Sequence, residues 1–234
     1  MRRVWLLPTL VAAAMLSSAH AQISGPASSG GPATVPPGFQ AWSNPELHLT
    51  YLYPAELTPV DGAFGTTAAR RMIYGEDAES DQTKGDTCAK VLLSVGKGTE
   101  GKGEWTRLGL VEVNGQCFPP KVLQSKKATQ MLLRNLVSQG TTVMGMMPVE
   151  DQPADYQIEG HWASFSAAQG EPVSKSDLQT GEQQLIGLAA VQVAGRILGW
   201  VLETNDAAMF NRLLGSGVDF GTGKPEPLFG GGVR

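Results

Sequence analysis

The chain is poor in the residues that carry most protein chemistry. Its 234 residues include only two cysteines and three histidines. No Cys-x-x-Cys and no His-x-x-x-His occurs, so the usual zinc-site spacings are missing. No Gly-x-Ser-x-Gly is present, which removes the serine elbow between strand and helix used by one large class of hydrolases. Charged residues make up 17% of the chain, with 22 acidic against 18 basic side chains. The Lys and Arg are scattered, so no basic face is available for a phosphate backbone and nucleic acid is not an expected partner. The longest apolar run, Val4 to Leu16, has 13 residues. A membrane helix needs about 20. No internal repeat is present.

That run has a different meaning. It follows a basic start, Met1-Arg2-Arg3, contains Pro8, and leads into Ser17-Ser18-Ala19-His20-Ala21. The Ala-x-Ala ending is the small-residue pattern of signal peptidase, so residues 1–21 are expected to be a signal peptide cut between Ala21 and Gln22. No cysteine stands at the cut, so no lipid anchor is expected. Losing Arg2 and Arg3 leaves 16 basic against 22 acidic side chains, a net charge of −6. The working protein is therefore expected to be secreted or periplasmic, with no stable membrane anchor after cleavage. Gln22 to Gly38 is rich in Ser, Gly, Pro, Ala and Thr, a composition that buries too little apolar surface to fold. Residues 221–234 look similar. The expected organisation is a flexible lead over 22–38, one domain over 39–220 and a flexible tail over 221–234.

Export changes the reading of the cysteines. Outside the cytoplasm an even pair most often forms a disulfide, so Cys88 and Cys117 are expected to be bridged; two buried thiols are the alternative. The chain-entropy model gives such a loop about 3–4 kcal/mol.

Glu46 to Tyr53 alternates, with Leu47, Leu49, Tyr51 and Tyr53 on one face, and Pro54 ends it. Thr66 to Tyr74 reads as a short helix. Cys88–Val95 and Thr106–Val113 read as strands, with an Asn114-Gly115 turn after the second. Ser125 caps a helix running to Gln139, with Ala128, Met131, Leu132 and Leu136 as its stripe and Gly140 as its stop. Strands are expected over 141–147 and 156–166. A hairpin follows, 183–193 paired with 196–203 through Ala194-Gly195. Thr204-Asn205-Asp206 caps a helix to Leu214, and Val218–Phe220 closes the domain. Neighbouring strands interspersed with a few helices predict an α+β fold: a single domain with an antiparallel sheet flanked by helices.

Two stretches carry a family resemblance: the strand ending in Tyr-Pro (Leu49 to Pro54), and the late unit of hairpin, capped helix and closing residues (Leu185 to Phe220). In these the chain resembles the PsbP/Mog1/DcrB-like superfamily. Relatives often place Trp soon after Tyr-Pro, where this chain has Ala55-Glu56-Leu57. The resemblance implies an antiparallel sheet between helices and an exported accessory or binding role. It implies no catalytic residues, because the superfamily shares none.

Several constellations suggest chemistry, and each has a plainer reading. Gly96 to Gly103 (GKGTEGKG) has the spacing of a phosphate loop. But Gly103 stands where Ser or Thr should hold magnesium, and no helix follows. Asp77, Glu79 and Asp81 have calcium-loop spacing, yet Gln82 and Cys88 replace the turn glycine and the bidentate acid. Met131, Met144, Met146 and Met147 could offer soft sulfur to copper, or simply fill a core. His48, His161 and Ser216 keep a distributed triad open, although Ser216 better fits a loop. Glu150, Asp151 and Asp155 are read as an acidic turn around Pro148 and Pro153, and the alternative is a carboxylate pair for sugar hydrolysis. Trp105, Trp162 and Trp200 could line a groove but fit a sheet core.

The expectation is an exported, non-catalytic accessory or binding protein without a cofactor, taking an unidentified envelope protein or small ligand. A secreted hydrolase and extracytoplasmic copper handling are the alternatives.

Overall fold

The computed structural model describes residues 34–75, 88–143, 145–151, 153–171 and 182–229. The signal segment with its Ala21/Gln22 site, the acidic stretch 77–81 and Met144 lie outside them.

The fold is α+β, built on an eight-stranded antiparallel sheet. Its strands are β3 (Thr58–Pro59), β4 (Ala89–Lys97), β5 (Thr106–Val113), β6 (Met146–Pro148), β7 (Ala154–Ile158), β8 (His161–Gly170), β9 (Gln184–Val193) and β10 (Arg196–Thr204). They run in the order β3-β4-β5-β10-β9-β8-β6, with β7 also paired to β8. A second, four-stranded sheet joins β1 (Phe39–Asn44), β2 (Leu49–Pro54), β11 (Gly217–Asp219) and β12 (Glu226–Pro227) in the order β1-β2-β11-β12.

Period-two alternation gives the large sheet two different faces. On β10, Ile197 and Val201 join a core with Met72, Val111, Leu133 and Leu188, roofed by helices α1 (Ala63–Tyr74) and α2 (Lys126–Thr141). Leu198, Trp200 and Leu202 point the other way. They meet Tyr51 and Tyr53 of the small sheet together with Met209, Phe210 and Leu213 of α3 (Ala207–Leu214). The large antiparallel sheet is thus flanked by helices as expected, and the small sheet shares its second face with α3.

The β9–β10 hairpin forms as expected. Ala194 (φ 47°) and Gly195 (φ 79°) both take positive φ, as a two-residue turn between right-twisted strands requires. Asp206 caps α3, accepting hydrogen bonds from the Ala208 and Met209 N–H groups.

Several expectations need correction. Phe39–Asn44 is a strand, and the strand expected from Glu46 starts only at Leu49. Asn44 accepts the Glu46 and Leu47 N–H groups and so starts a 3-10 turn over Pro45–Leu47, which interrupts the extended run. The α2 helix continues through Gly140 to Thr141, taking the first residue of the strand expected over 141–147. Its buried stripe is Thr129, Leu133, Leu136 and Val137, and Met131 is 57% exposed. The segment 156–166 is two strands joined at Glu159-Gly160. The expected tail also packs beyond Gly221: Leu228 is fully buried, and the Phe229 ring lies 4.4 Å from Phe165. Two large apolar side chains outweigh the flexibility that surrounding Gly and Pro suggest.

Candidate functional site

Four pieces of chain converge where β4 begins and β5 ends. The Cys88–Cys117 disulfide ties the start of β4 to the turn after β5, with a Cα–Cα distance of 5.8 Å. Beside it the Asn114 N–H donates to the Cys88 carbonyl at 2.7 Å. The Asn114 side chain accepts the Gln116 N–H at 2.9 Å, starting a single 3-10 turn over Gly115–Cys117. Gly115 lies so close to the Gly195 carbonyl that any Cβ would overlap it, so the turn after β5 and the hairpin turn pack backbone to backbone. Disulfides persist in oxidising compartments, and this one is consistent with an extracytoplasmic protein.

Between these pieces lies a cleft of about 840 Å3, within the range of about 300–1,000 Å3 common for small-ligand pockets. Lys90 of β4, Glu112 of β5 and Arg196 of β10 line one side. They share a face of three adjacent strands. Lys90 stands opposite Glu112 in the ladder, and Arg196 Nη1 lies 3.1 Å from Glu112 Oε1. A bulge between Val91 and Leu93 lets Lys90 share this face with Leu93 and Val95, which strict alternation would place opposite. The 114–124 loop adds the amides of Gln116 and Gln124 and the apolar surfaces of Phe118, Pro120 and Leu123.

A second groove, about 210 Å3, runs between β8, β9 and α3. Phe165, Ala167, Leu185, Phe210 and Leu214 make it mainly apolar, with Val149 and Glu150 at one side.

No protein-family model matches this chain, and no curated protein sequence is similar to it. Several solved structures are similar to it at low identity, three of them as follows. PsbP (CyanoP) of Synechocystis is 12% identical over 71% of this chain and 79% of that one, with a TM-score of 0.36. PA94, a protein of unknown function from Pseudomonas aeruginosa, is 12% identical over 74% and 86%, with a TM-score of 0.33. LpqN of Mycobacterium tuberculosis is 10% identical over 74% and 68%, with a TM-score of 0.28.

The other residues singled out from sequence have structural partners or lie apart. Ser216 Oγ donates to the Arg212 carbonyl, and the His161 ring packs edge-on against Phe220 at 4.8 Å. His48 is exposed at the end of the 3-10 turn, with φ at 49°. Asp155 lies on β7, not in a turn: Arg134 grips it through Nε and Nη2, and Ser164 donates to it at 2.8 Å. Burial alone would raise the Asp155 pKa, but the hydrogen bonds from Arg134 and Ser164 outweigh it and hold the carboxyl below the ordinary aspartate value. Glu150 and Asp151 are exposed. Trp105 and Trp200 are core residues, and Lys126 sits over the Trp162 ring at 4.1 Å. Met147 is 67% exposed. The Gly96–Gly103 segment leads into β5 through a loop, and Arg107 donates to the Lys97 and Gly98 carbonyls within it. Among the described residues no three His, Cys, Asp or Glu side chains are grouped to hold a metal, and no helix is long and apolar enough to cross a membrane.

Sequence reasoning found one member of the cleft, Cys88, and its bridge to Cys117. It missed Lys90, Glu112, Gln116, Gln124 and Arg196. A signal was present: antiparallel pairing of β4, β5 and β10 brings the Asn114-Gly115 and Ala194-Gly195 turns to one end of the sheet, where the disulfide also lies.

Proposed function

We propose that the protein is an exported, non-catalytic binding protein, and that the cleft between the disulfide-bridged turn and the β9–β10 hairpin takes its ligand. One observation carries this reading: a ligand-sized cleft whose rim is covalently fixed and whose lining brings charged, amide and apolar groups together. A rim held by a disulfide and by the Gly115–Gly195 contact loses little freedom on binding, and such preorganisation favours affinity. Export is supported by the basic, apolar and Ala-x-Ala segments of residues 1–21 and by the bridge. One side of the cleft sits on paired strands, and the 114–124 loop that forms the other side is tied to β4 through the disulfide at Cys117.

Native mass spectrometry of the protein recovered from an exporting host tests this. Gln116 is exposed and lies on the loop, so Gln116→Trp would crowd the cleft without disturbing the sheet. Small-molecule adducts on the native protein that vanish in Q116W are the expected result. Adducts retained in Q116W, or none on either protein, would overturn the assignment.

A further inference from the structure

We infer that the cleft takes an organic anion that presents a carboxylate to Lys90, an amide to Gln116 and Gln124, and an apolar group to Phe118 and Leu123. This rests on the reading of the cleft as a ligand site and names the ligand class.

The charges decide the sign. Of the three charged side chains lining the cleft, Glu112 is engaged by Arg196 at 3.1 Å. Lys90 faces the same carboxylate across the ladder yet makes no ion pair among the described residues. One cation is therefore left over, and the lining carries a net charge of about +1 in a protein whose overall charge is negative. A single surplus charge suits a monoanionic carboxylate. A phosphate dianion would want a second free cation or a set of converging N–H donors. The Asn114 carboxamide oxygen is occupied by the Gln116 N–H, while Gln116 and Gln124 both expose amides that can donate and accept. The half-buried Phe118 and Leu123 offer an apolar wall beside them. Carboxylate, amide and apolar side chain in one ligand describe an N-acylated amino acid, or the last residue of a peptide.

Titration of the full exported chain with N-acetyl-leucine and with its neutral amide, followed by 1H–15N NMR, tests this. The acid is expected to shift the backbone amides of residues 112–118 and 194–196, with affinity about tenfold above that of the amide, the worth of one charge-assisted hydrogen bond. Lys90→Gln is expected to erase that difference. Glu112→Gln, which frees Arg196, is expected to raise the affinity for the acid several-fold. A leucine-ending tetrapeptide that binds more tightly than N-acetyl-leucine would assign the site to peptide C-termini; equal affinity would assign it to free acylated amino acids. If the amide binds as well as the acid, the anion class is overturned while the cleft stands as a ligand site. If neither compound shifts cleft resonances, the proposal is overturned, and the cleft itself is judged separately by the Q116W adducts.

Discussion

The two faces of the large sheet are packed on different principles. On the helix face the sheet offers small or branched residues. Gly199 lies against Met72, Gly109 against Phe64, and Gly140 of α2 against Leu188. Helices come close because side chains are missing at the contacts. The face toward the small sheet is filled by large rings instead: Tyr51 meets Trp200 at 5.9 Å, and Phe165 and Phe210 flank Gly187. Big rings fill volume quickly but carry polar atoms inward. The Tyr51 hydroxyl and Trp200 Nε1 are buried without a hydrogen-bond partner among the described residues. Ser216 lies beside Tyr51 and opposes the rise of its pKa, while its own Oγ–H donates to the Arg212 carbonyl. Burial drives the Tyr51 pKa upward, as expected where the phenolate has little to stabilise it. The helix face is thus satisfied but intolerant of added volume. The aromatic face is voluminous but leaves polar groups unmet.

Three substitutions would sharpen or break this contrast. Trp200→Ala removes the largest ring from the centre of the aromatic face, and is expected to cost about 3–5 kcal/mol in denaturant unfolding. A loss below about 1 kcal/mol would mean that the face collapses around the gap and is not tightly packed. Gly140→Val adds volume on the helix face, where a Cβ would overlap Leu188 Cδ1 and press on Met72, both fully buried. The expected cost is about 1–3 kcal/mol. No loss of stability would show that the α2 contact has room to spare. The smallest effect has the opposite sign. Tyr51→Phe removes an unsatisfied hydroxyl from the aromatic face and is expected to raise stability by about 1 kcal/mol. Destabilisation would show that the hydroxyl has a partner, such as a bound water, and that this face is better satisfied than its side chains indicate.

The legible parts of the fold were those set by local rules. Thr106–Val113 is a short run rich in Leu and Val, bounded by an Asn-Gly turn, and is a strand with those bounds. Ala194-Gly195 and Asp206 specify a turn and a cap through their own backbone and side chain, and both form. Misreadings arose where two local signals competed. Asn44 captured N–H groups that an extended strand would have used, which delayed β2 to Leu49. Apolar residues alone suggested the stripe of α2. The real stripe runs through Thr129 and Gly140, which are buried because neighbours sit over them, so a hydropathy pattern does not mark them.

The candidate site was less legible, because its charged residues come from strands far apart in the chain. Nothing local to Lys90, Glu112 or Arg196 marks any of them as functional. Parity counting along β4 even places Lys90 opposite Leu93 and Val95. The bulge between Val91 and Leu93 reverses this and brings the lysine to the cleft.

The sequence by itself determined the α+β class, the central hairpin, the capped last helix and the cysteine pair, because each depends on periodicity, turn chemistry or count within a short span. Tertiary structure alone decided which strands lie side by side, and therefore which charges meet. It assigned Glu112 to Arg196 and left Lys90 without an ion pair among the described residues, because pairing register and one bulge, not neighbourhood in the chain, set the distances between them.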